Sequence, residues 1–127
     1  MGTVKITWVS NNAIAKFSGI VDSKTLLECM SLALSNPDLE KQIYCINDLS
    51  EIDDLVYSEG EFKMHVAMDQ GVSRMNPHLN YGIVVKEKNF KDASRYMHAL
   101  EGTNWNIAIF TSLSDATKWA NELLPNK

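Results

Sequence analysis

Cysteine is scarce in this chain: Cys29 and Cys45 are its 2 cysteines in 127 residues. A chain of this length buries enough surface to fold without disulfides or a structural metal. One cysteine lies in a predicted helix and the other in a predicted buried strand. A pair this sparse indicates reduced core thiols, which are typical of a cytoplasmic protein.

Long apolar runs and an excess of basic residues are also missing. No stretch approaches the ~20 apolar residues of a membrane-spanning helix, and the N-terminus lacks the apolar core of a signal peptide. The 12 basic and 16 acidic residues give a net charge of −4, which argues against nucleic-acid binding and against a polybasic membrane anchor. No repeat or linker interrupts the chain, so one domain is predicted over residues 1–127.

The N-terminal segments alternate between apolar and polar residues with a period of two. Val4, Ile6 and Trp8 share one face of the first segment, and a second alternating segment follows Asn12. The turn at 10–12 contains two asparagines, which tolerate the positive φ of hairpin turns. We expect an antiparallel hairpin.

The rest of the chain alternates between helical and strand patterns. Apolar residues recur at helical spacing over 26–34, 62–75, 89–100 and 115–124. Short, nearly continuous apolar runs at 43–49, 81–85 and 106–110 predict strands covered on both faces. The predicted order is ββαβαβαβα, an α/β sheet with helices covering it and the hairpin as its antiparallel edge.

Three stretches in this order resemble one known superfamily. They are Phe-Ser-Gly-Ile-Val at 17–21, Ile-Asn-Asp-Leu-Ser at 46–50, and 110–124 with its Ser-Asp-Ala and Trp119. Together they resemble the STAS superfamily of sulfate-transporter and anti-sigma-factor antagonist domains, and more closely its SpoIIAA-like branch. The resemblance covers nearly the whole chain.

The resemblance implies a binding module rather than an enzyme. Anti-sigma-factor antagonists bind a protein partner and are switched by phosphorylation of a serine at the start of the helix after the third strand. The SpoIIAA-like branch is similar in shape to CRAL-TRIO-type lipid-binding domains, which implies an apolar or lipid-like ligand. Both implied roles are recognition without turnover, and neither needs a cofactor.

Ser58 is the residue nearest to the phosphorylation position that the resemblance implies. Its spacing to Glu61 also predicts a capping box at a helix start, and we favour that interpretation. The family's Asp-Ser pair is absent here. A phosphate on Ser58 would face Glu59, Asp53 and Asp54, whose charges would repel it.

Six acidic residues follow the third strand with no lysine or arginine among them: Asp48, Glu51, Asp53, Asp54, Glu59 and Glu61. Ligands of open α/β sheets bind at the carboxyl ends of the strands. The run therefore indicates a docking edge for a basic protein partner or a weak divalent-cation site. The alternative is a solvated loop, which we favour because the run lacks a fixed metal-ligand spacing.

A further set of apolar residues suggests a ligand pocket or a homodimer face around the second predicted helix. Its members are Tyr57, Phe62, Met64, Met68, Met75, Tyr81, Tyr96 and Met97. Methionine adapts to irregular apolar ligands, but residues at this spacing also form ordinary cores. The bordering helix has apolar residues around much of its circumference, which is more than one buried stripe requires.

Catalytic motifs are missing from the sequence. His65, His78 and His98 lack a zinc-type spacing, the glycines are isolated, and no nucleophile elbow is present. His65 and Asp69 are one helical turn apart, a spacing that allows a hydrogen bond between their side chains. The sequence predicts a non-enzymatic module that binds an apolar ligand or a protein. The alternative is a partner-switching regulator controlled at Ser58.

Overall fold

Two sheet-forming segments open the chain, and helices then alternate with further strands. The computed structural model describes residues 2–125. Its elements are β1 Thr3–Val9, β2 Asn12–Val21, α1 Ser23–Leu34, β3 Tyr44–Asp48, β4 Ile52–Leu55, α2 Glu59–Met75, β5 Asn80–Val84, α3 Phe90–Ala99, β6 Asn106–Phe110 and α4 Leu113–Glu122. Single 3₁₀ turns occupy Leu39–Lys41 and Glu87–Asn89.

The strands form one mixed sheet in the order β1-β2-β3-β5-β6, with β4 also paired to β2. The β1–β2 hairpin is antiparallel and all other pairs are parallel. The predicted α/β class and edge hairpin are therefore confirmed. In the hairpin turn, however, the positive φ of 57° falls on Ser10 and not on an asparagine.

Strand β4 is absent from the predicted order. It continues along β2 beyond β3: residues 13–16 of β2 pair with β3, and Gly19 to Val21 pair with β4. The register shifts after Gly19, whose φ of 76° suits a glycine at a β-bulge. Asp53 and Asp54 were expected in a loop but lie in this strand.

The helices divide unequally between the two faces of the sheet. Helix α4 packs on one face, where Ala116 and Ala120 lie against Tyr44, Ile46 and Val84. Helices α1, α2 and α3 cover the other face. Every second residue of a strand points toward these three helices, because successive strand residues point to opposite faces of the sheet.

Helix α2 differs from its neighbours in how it meets the sheet. The backbones of α1, α3 and α4 each approach a strand closely, whereas the backbone of α2 lies farther from the other helices and strands of residues 2–125. Its buried residues are His65 and Ser73, both polar. A helix held away from the sheet leaves space beneath it. No helix within 2–125 combines the length and apolarity needed to span a bilayer.

Candidate functional site

A cavity of about 170 Å³ lies between the sheet and the three helices that cover this face. Its wall is mostly apolar and includes six aromatic residues: Phe17, Tyr57, Phe62, Tyr81, Tyr96 and Trp105. Leu34, at the end of α1, lines the cavity and remains 40% exposed. The cavity therefore reaches the surface near the C-terminal end of α1.

The N-terminal end of α2 is held by its cap and by α3. Ser58 caps the helix, and a capping box with Glu61 is present, which confirms the predicted cap. The Phe62 ring stacks on Tyr57 at 6.0 Å between centroids and meets Tyr96 edge-on at 5.9 Å. The Arg95 guanidinium lies 3.8 Å from the Phe62 ring centroid.

The C-terminal end of α2 is held by Asn76. Its side-chain amide donates to the carbonyls of Leu39 and Gln42 at 3.1 and 2.9 Å. The Trp105 indole N–H donates to the Asn76 carbonyl at 2.8 Å. With both ends attached, α2 bridges the cavity without filling it.

Asp69 is the acidic group that the middle of α2 directs into this space. Its Oδ2 accepts a hydrogen bond from the Tyr96 hydroxyl, which also lies 3.1 Å from the His65 carbonyl oxygen. Burial raises the pKa of Asp69 from 3.8 to about 6, although the Tyr96 hydrogen bond opposes the rise. The carboxyl is therefore mostly ionised at neutral pH, inside an apolar wall.

Polar groups also face the cavity from the sheet. The Asn47 amide donates to the Tyr81 hydroxyl at 2.6 Å. Both cysteines line the cavity as free thiols, as expected. Burial raises the pKa of Cys29 to about 12 and raises that of Cys45 further. Both thiols are therefore protonated and poorly nucleophilic at neutral pH.

His65 and Asp69 do not form the pair that their spacing allowed. His65 Nε2 instead lies 3.0 Å from the buried Ser23 Oγ, which ties α2 to the start of α1. Burial lowers the pKa of His65, so the ring is neutral at neutral pH. Ser23 lies outside the cavity lining.

The predicted apolar set divides between two locations. Tyr57, Phe62, Tyr81 and Tyr96 line the cavity. The other four residues, Met64, Met68, Met75 and Met97, lie outside the lining, and the first three are exposed. A helix turns by about 100° per residue, so these three occupy the face of α2 opposite Phe62 and Asp69.

Half of the predicted acidic edge is engaged in local hydrogen bonds. Asp48 is only 2% exposed and accepts hydrogen bonds from the backbone and hydroxyl of Ser50, at 3.0 and 2.6 Å. Asp54 accepts from the backbone N–H of Leu55 at 2.8 Å. Glu61 is part of the α2 cap. These three carboxylates have different roles and do not converge.

Basic residues from other elements neutralise much of the remaining acidic edge. Lys16 pairs with Glu51, and Arg95 pairs with Glu59. Lys88 Nζ donates to the backbone carbonyl of Asp53 at 2.7 Å. Within residues 2–125 no group of three or more histidine, cysteine or acidic side chains could hold a metal.

Comparison with known proteins gives matches in structure but not in sequence. The chain matches no protein-family model and no curated protein. It is similar to an uncharacterised DUF3478-family protein with a SpoIIAA-like fold from Shewanella loihica PV-4. The TM-score is 0.59 and the identity 16%, over 94% of this chain and 93% of that one.

The second similar structure is an anti-sigma factor antagonist from Mycobacterium paratuberculosis. The TM-score is 0.60 and the identity 13%, over 95% of each chain. At these identities the likeness concerns the fold alone. The chain therefore has a SpoIIAA-like fold.

Proposed function

We propose that this protein is a non-enzymatic binding module whose cavity takes one small, mostly apolar molecule. The observation that carries the proposal is the cavity of about 170 Å³ that α2 encloses against the sheet. Well-packed interiors rarely contain voids of this size. An engineered apolar cavity of roughly 150 Å³ binds benzene, so the volume fits a molecule of about one ring.

The size of the cavity narrows the class of ligand. Pockets that hold drug-sized molecules measure roughly 300–1,000 Å³. A lipid with a long acyl chain exceeds the space under α2, so a compact ring or short branched chain is the better fit. Burial of such a molecule against Phe17, Phe62 and Trp105 is favourable by the hydrophobic effect.

The polar groups in the cavity support binding rather than catalysis. The Asp69 carboxylate bonds to Tyr96 and leaves His65 without an orienting acid. Both thiols are held protonated by burial. A nucleophile needs an adjacent base or a lowered pKa, and these groups have neither.

Ethylbenzene is the probe that tests this proposal. Saturation-transfer NMR should detect its binding, and a concentration about ten times its Kd should raise Tm by roughly 4 °C. Absence of both effects in the wild-type protein would overturn the proposal.

A matched pair of variants locates the binding site. Ala33 lines the cavity from α1, and Ala67 is exposed on α2. Ala33→Leu should abolish ethylbenzene binding by filling the space, while Ala67→Leu should leave the binding unchanged. Equal binding by the two variants would show that ethylbenzene sits elsewhere.

A second candidate function is partner switching controlled at Ser58. Ser58 is exposed at the start of α2, and one similar structure is an anti-sigma factor antagonist. The test is the intact mass of protein purified from its native host. Stoichiometric phosphate on Ser58 would support this function, and unmodified protein would support a capping role alone.

A further inference from the structure

The carboxyl and ammonium-type groups that line the cavity are all of one sign, since Arg95 lies on the Phe62 ring outside the lining and pairs with Glu59. Its lining includes the carboxyl groups of Asp69 and Asp92, and no lysine or arginine of residues 2–125 contributes to it. His65, the remaining titratable nitrogen, is kept neutral by burial. An anionic ligand would therefore meet repulsion without a compensating cation.

The two carboxyl groups differ in how well they are satisfied. Asp92 Oδ1 accepts a hydrogen bond from the Tyr57 hydroxyl, and Oδ2 accepts one from Asn89 Nδ2 at 3.1 Å. Asp69 receives one hydrogen bond, from Tyr96 to Oδ2. In the described part of the chain, no donor reaches Asp69 Oδ1. One oxygen of a largely buried acid thus remains open toward the cavity.

We propose that the ligand is a small amine with a single ring, bound with its ammonium group on Asp69 Oδ1 and its ring among the aromatic residues. This inference rests on the proposed function and adds the chemical class of the ligand. An ammonium donates the hydrogen bond that Oδ1 lacks and supplies the missing counter-charge.

An amine fits better than an isosteric alcohol for two physical reasons. Folding has already removed much of Asp69 from water, so pairing it with a cation relieves an existing cost of partly buried charge. Tyr81, Tyr96 and Trp105 line the same cavity, and aromatic rings attract cations as well as apolar groups. An alcohol supplies the hydrogen bond without the charge.

Calorimetric titration of the full chain at pH 7.5 with four probes that share a phenethyl group tests the inference. The probes are phenethylamine, phenethyl alcohol, ethylbenzene and hydrocinnamate. Phenethylamine should bind about tenfold more tightly than phenethyl alcohol or ethylbenzene, as expected for a charge-assisted hydrogen bond in a mostly apolar site. Hydrocinnamate should show no binding.

Asp69→Asn keeps the side-chain volume and removes the charge. It should lose the tenfold preference for phenethylamine and still bind ethylbenzene, which also shows that the variant is folded. The control, Asp115→Asn, removes an exposed charge at the start of α4 on the other face of the sheet and should keep the preference.

The outcomes separate the inference from the proposed function. If ethylbenzene does not bind, the cavity is not a binding site and the proposed function fails. If ethylbenzene binds but phenethylamine is no tighter than phenethyl alcohol, or hydrocinnamate binds equally well, the inference alone fails. Should Asp69→Asn not fold, the ranking of the four probes on wild-type protein decides the question.

Discussion

The Tyr96 hydroxyl on α3 donates a hydrogen bond to the Asp69 carboxylate on α2. The same hydroxyl lies 3.1 Å from the backbone carbonyl of His65, one turn earlier in α2. Tyr96 thus links α3 to α2 through its hydroxyl group. It also keeps Asp69 Oδ2 occupied, so that Oδ1 is the oxygen left for a ligand.

Tyr96→Phe should raise the pKa of Asp69 further above its folded value of about 6. The hydroxyl stabilises the ionised carboxylate, and its loss leaves the same burial without that compensation. The measurement is an NMR titration of the Asp69 side-chain carboxyl carbon. An unchanged or lower pKa in Tyr96→Phe would contradict the role given to this hydrogen bond.

Tyr44→Phe is the matched control for that titration. Tyr44 is buried against α4 on the opposite face of the sheet, so its hydroxyl does not face Asp69. The same chemical change there should leave the pKa of Asp69 in place. A shift of equal size in both variants would indicate a general loosening of the fold.

Asp69→Asn should change how stability depends on pH. The pKa of the Asp69 carboxyl is 3.8 in the unfolded chain and about 6 in the folded protein. Between these two pH values the folded protein therefore holds a proton that the unfolded chain has released. Wild-type stability relative to the variant should therefore fall by on the order of 2 kcal/mol as pH rises from about 4 to about 6. Chemical denaturation at a series of pH values measures this difference.

The tyrosine and cysteine side chains that face Asp69 stay uncharged in this range: Tyr96 from α3, Tyr81 from β5, Cys29 from α1 and Cys45 from β3. Burial lowers the pKa of His65 from 6.5, and both His65 and Asp92, which also line the cavity, occur in wild type and variant alike. Carboxylates whose pKa is lowered, such as Asp22 and Glu51, act in the opposite direction but occur in both proteins. Parallel pH profiles for wild type and Asp69→Asn would contradict the prediction.

The sheet and its helices could be predicted because their signals are local. Each signal spans only a few residues of sequence. These signals are the alternation in β1 and β2, the apolar runs in β3, β5 and β6, and the cap at Ser58. Strand β4 was not predicted because Asp53 and Asp54 are residues that rarely occur in strands. Its formation depends on pairing with β2, some thirty residues away in the sequence.

The cavity could be predicted only in part, because its geometry depends on distant contacts. Tyr57 and Phe62 were candidates, but helical spacing alone does not show whether the Phe62 face or the Met64 face of α2 turns inward. Asn76 and Trp105 hold α2 in its orientation through hydrogen bonds between residues that are far apart in the sequence. The sequence likewise gave no sign that Lys16 and Arg95 would neutralise the acidic edge.

Ser58→Ala should lower the free energy of unfolding by about 1 kcal/mol, since it removes half of the α2 capping box. Ser58→Asp should restore most of that stability, because aspartate caps a helix as well as serine does. Urea denaturation of the three proteins measures both effects. Equal loss of stability in Ser58→Ala and Ser58→Asp would show that the side chain stabilises the protein by something other than capping.

The two cysteines should report whether the cavity is occupied. Burial raises the pKa of the Cys29 thiol to about 12 and raises that of the Cys45 thiol further. Both thiols are protonated at about pH 8, so native protein should react very slowly with iodoacetamide. Both thiols should react quickly in guanidinium chloride. Saturating ethylbenzene should slow the native reaction further because it fills the space that the reagent must enter. Mass spectrometry of the labelled protein measures each rate. A native rate close to the denatured one, or a native rate insensitive to ethylbenzene, would contradict the placement of these thiols in the binding cavity.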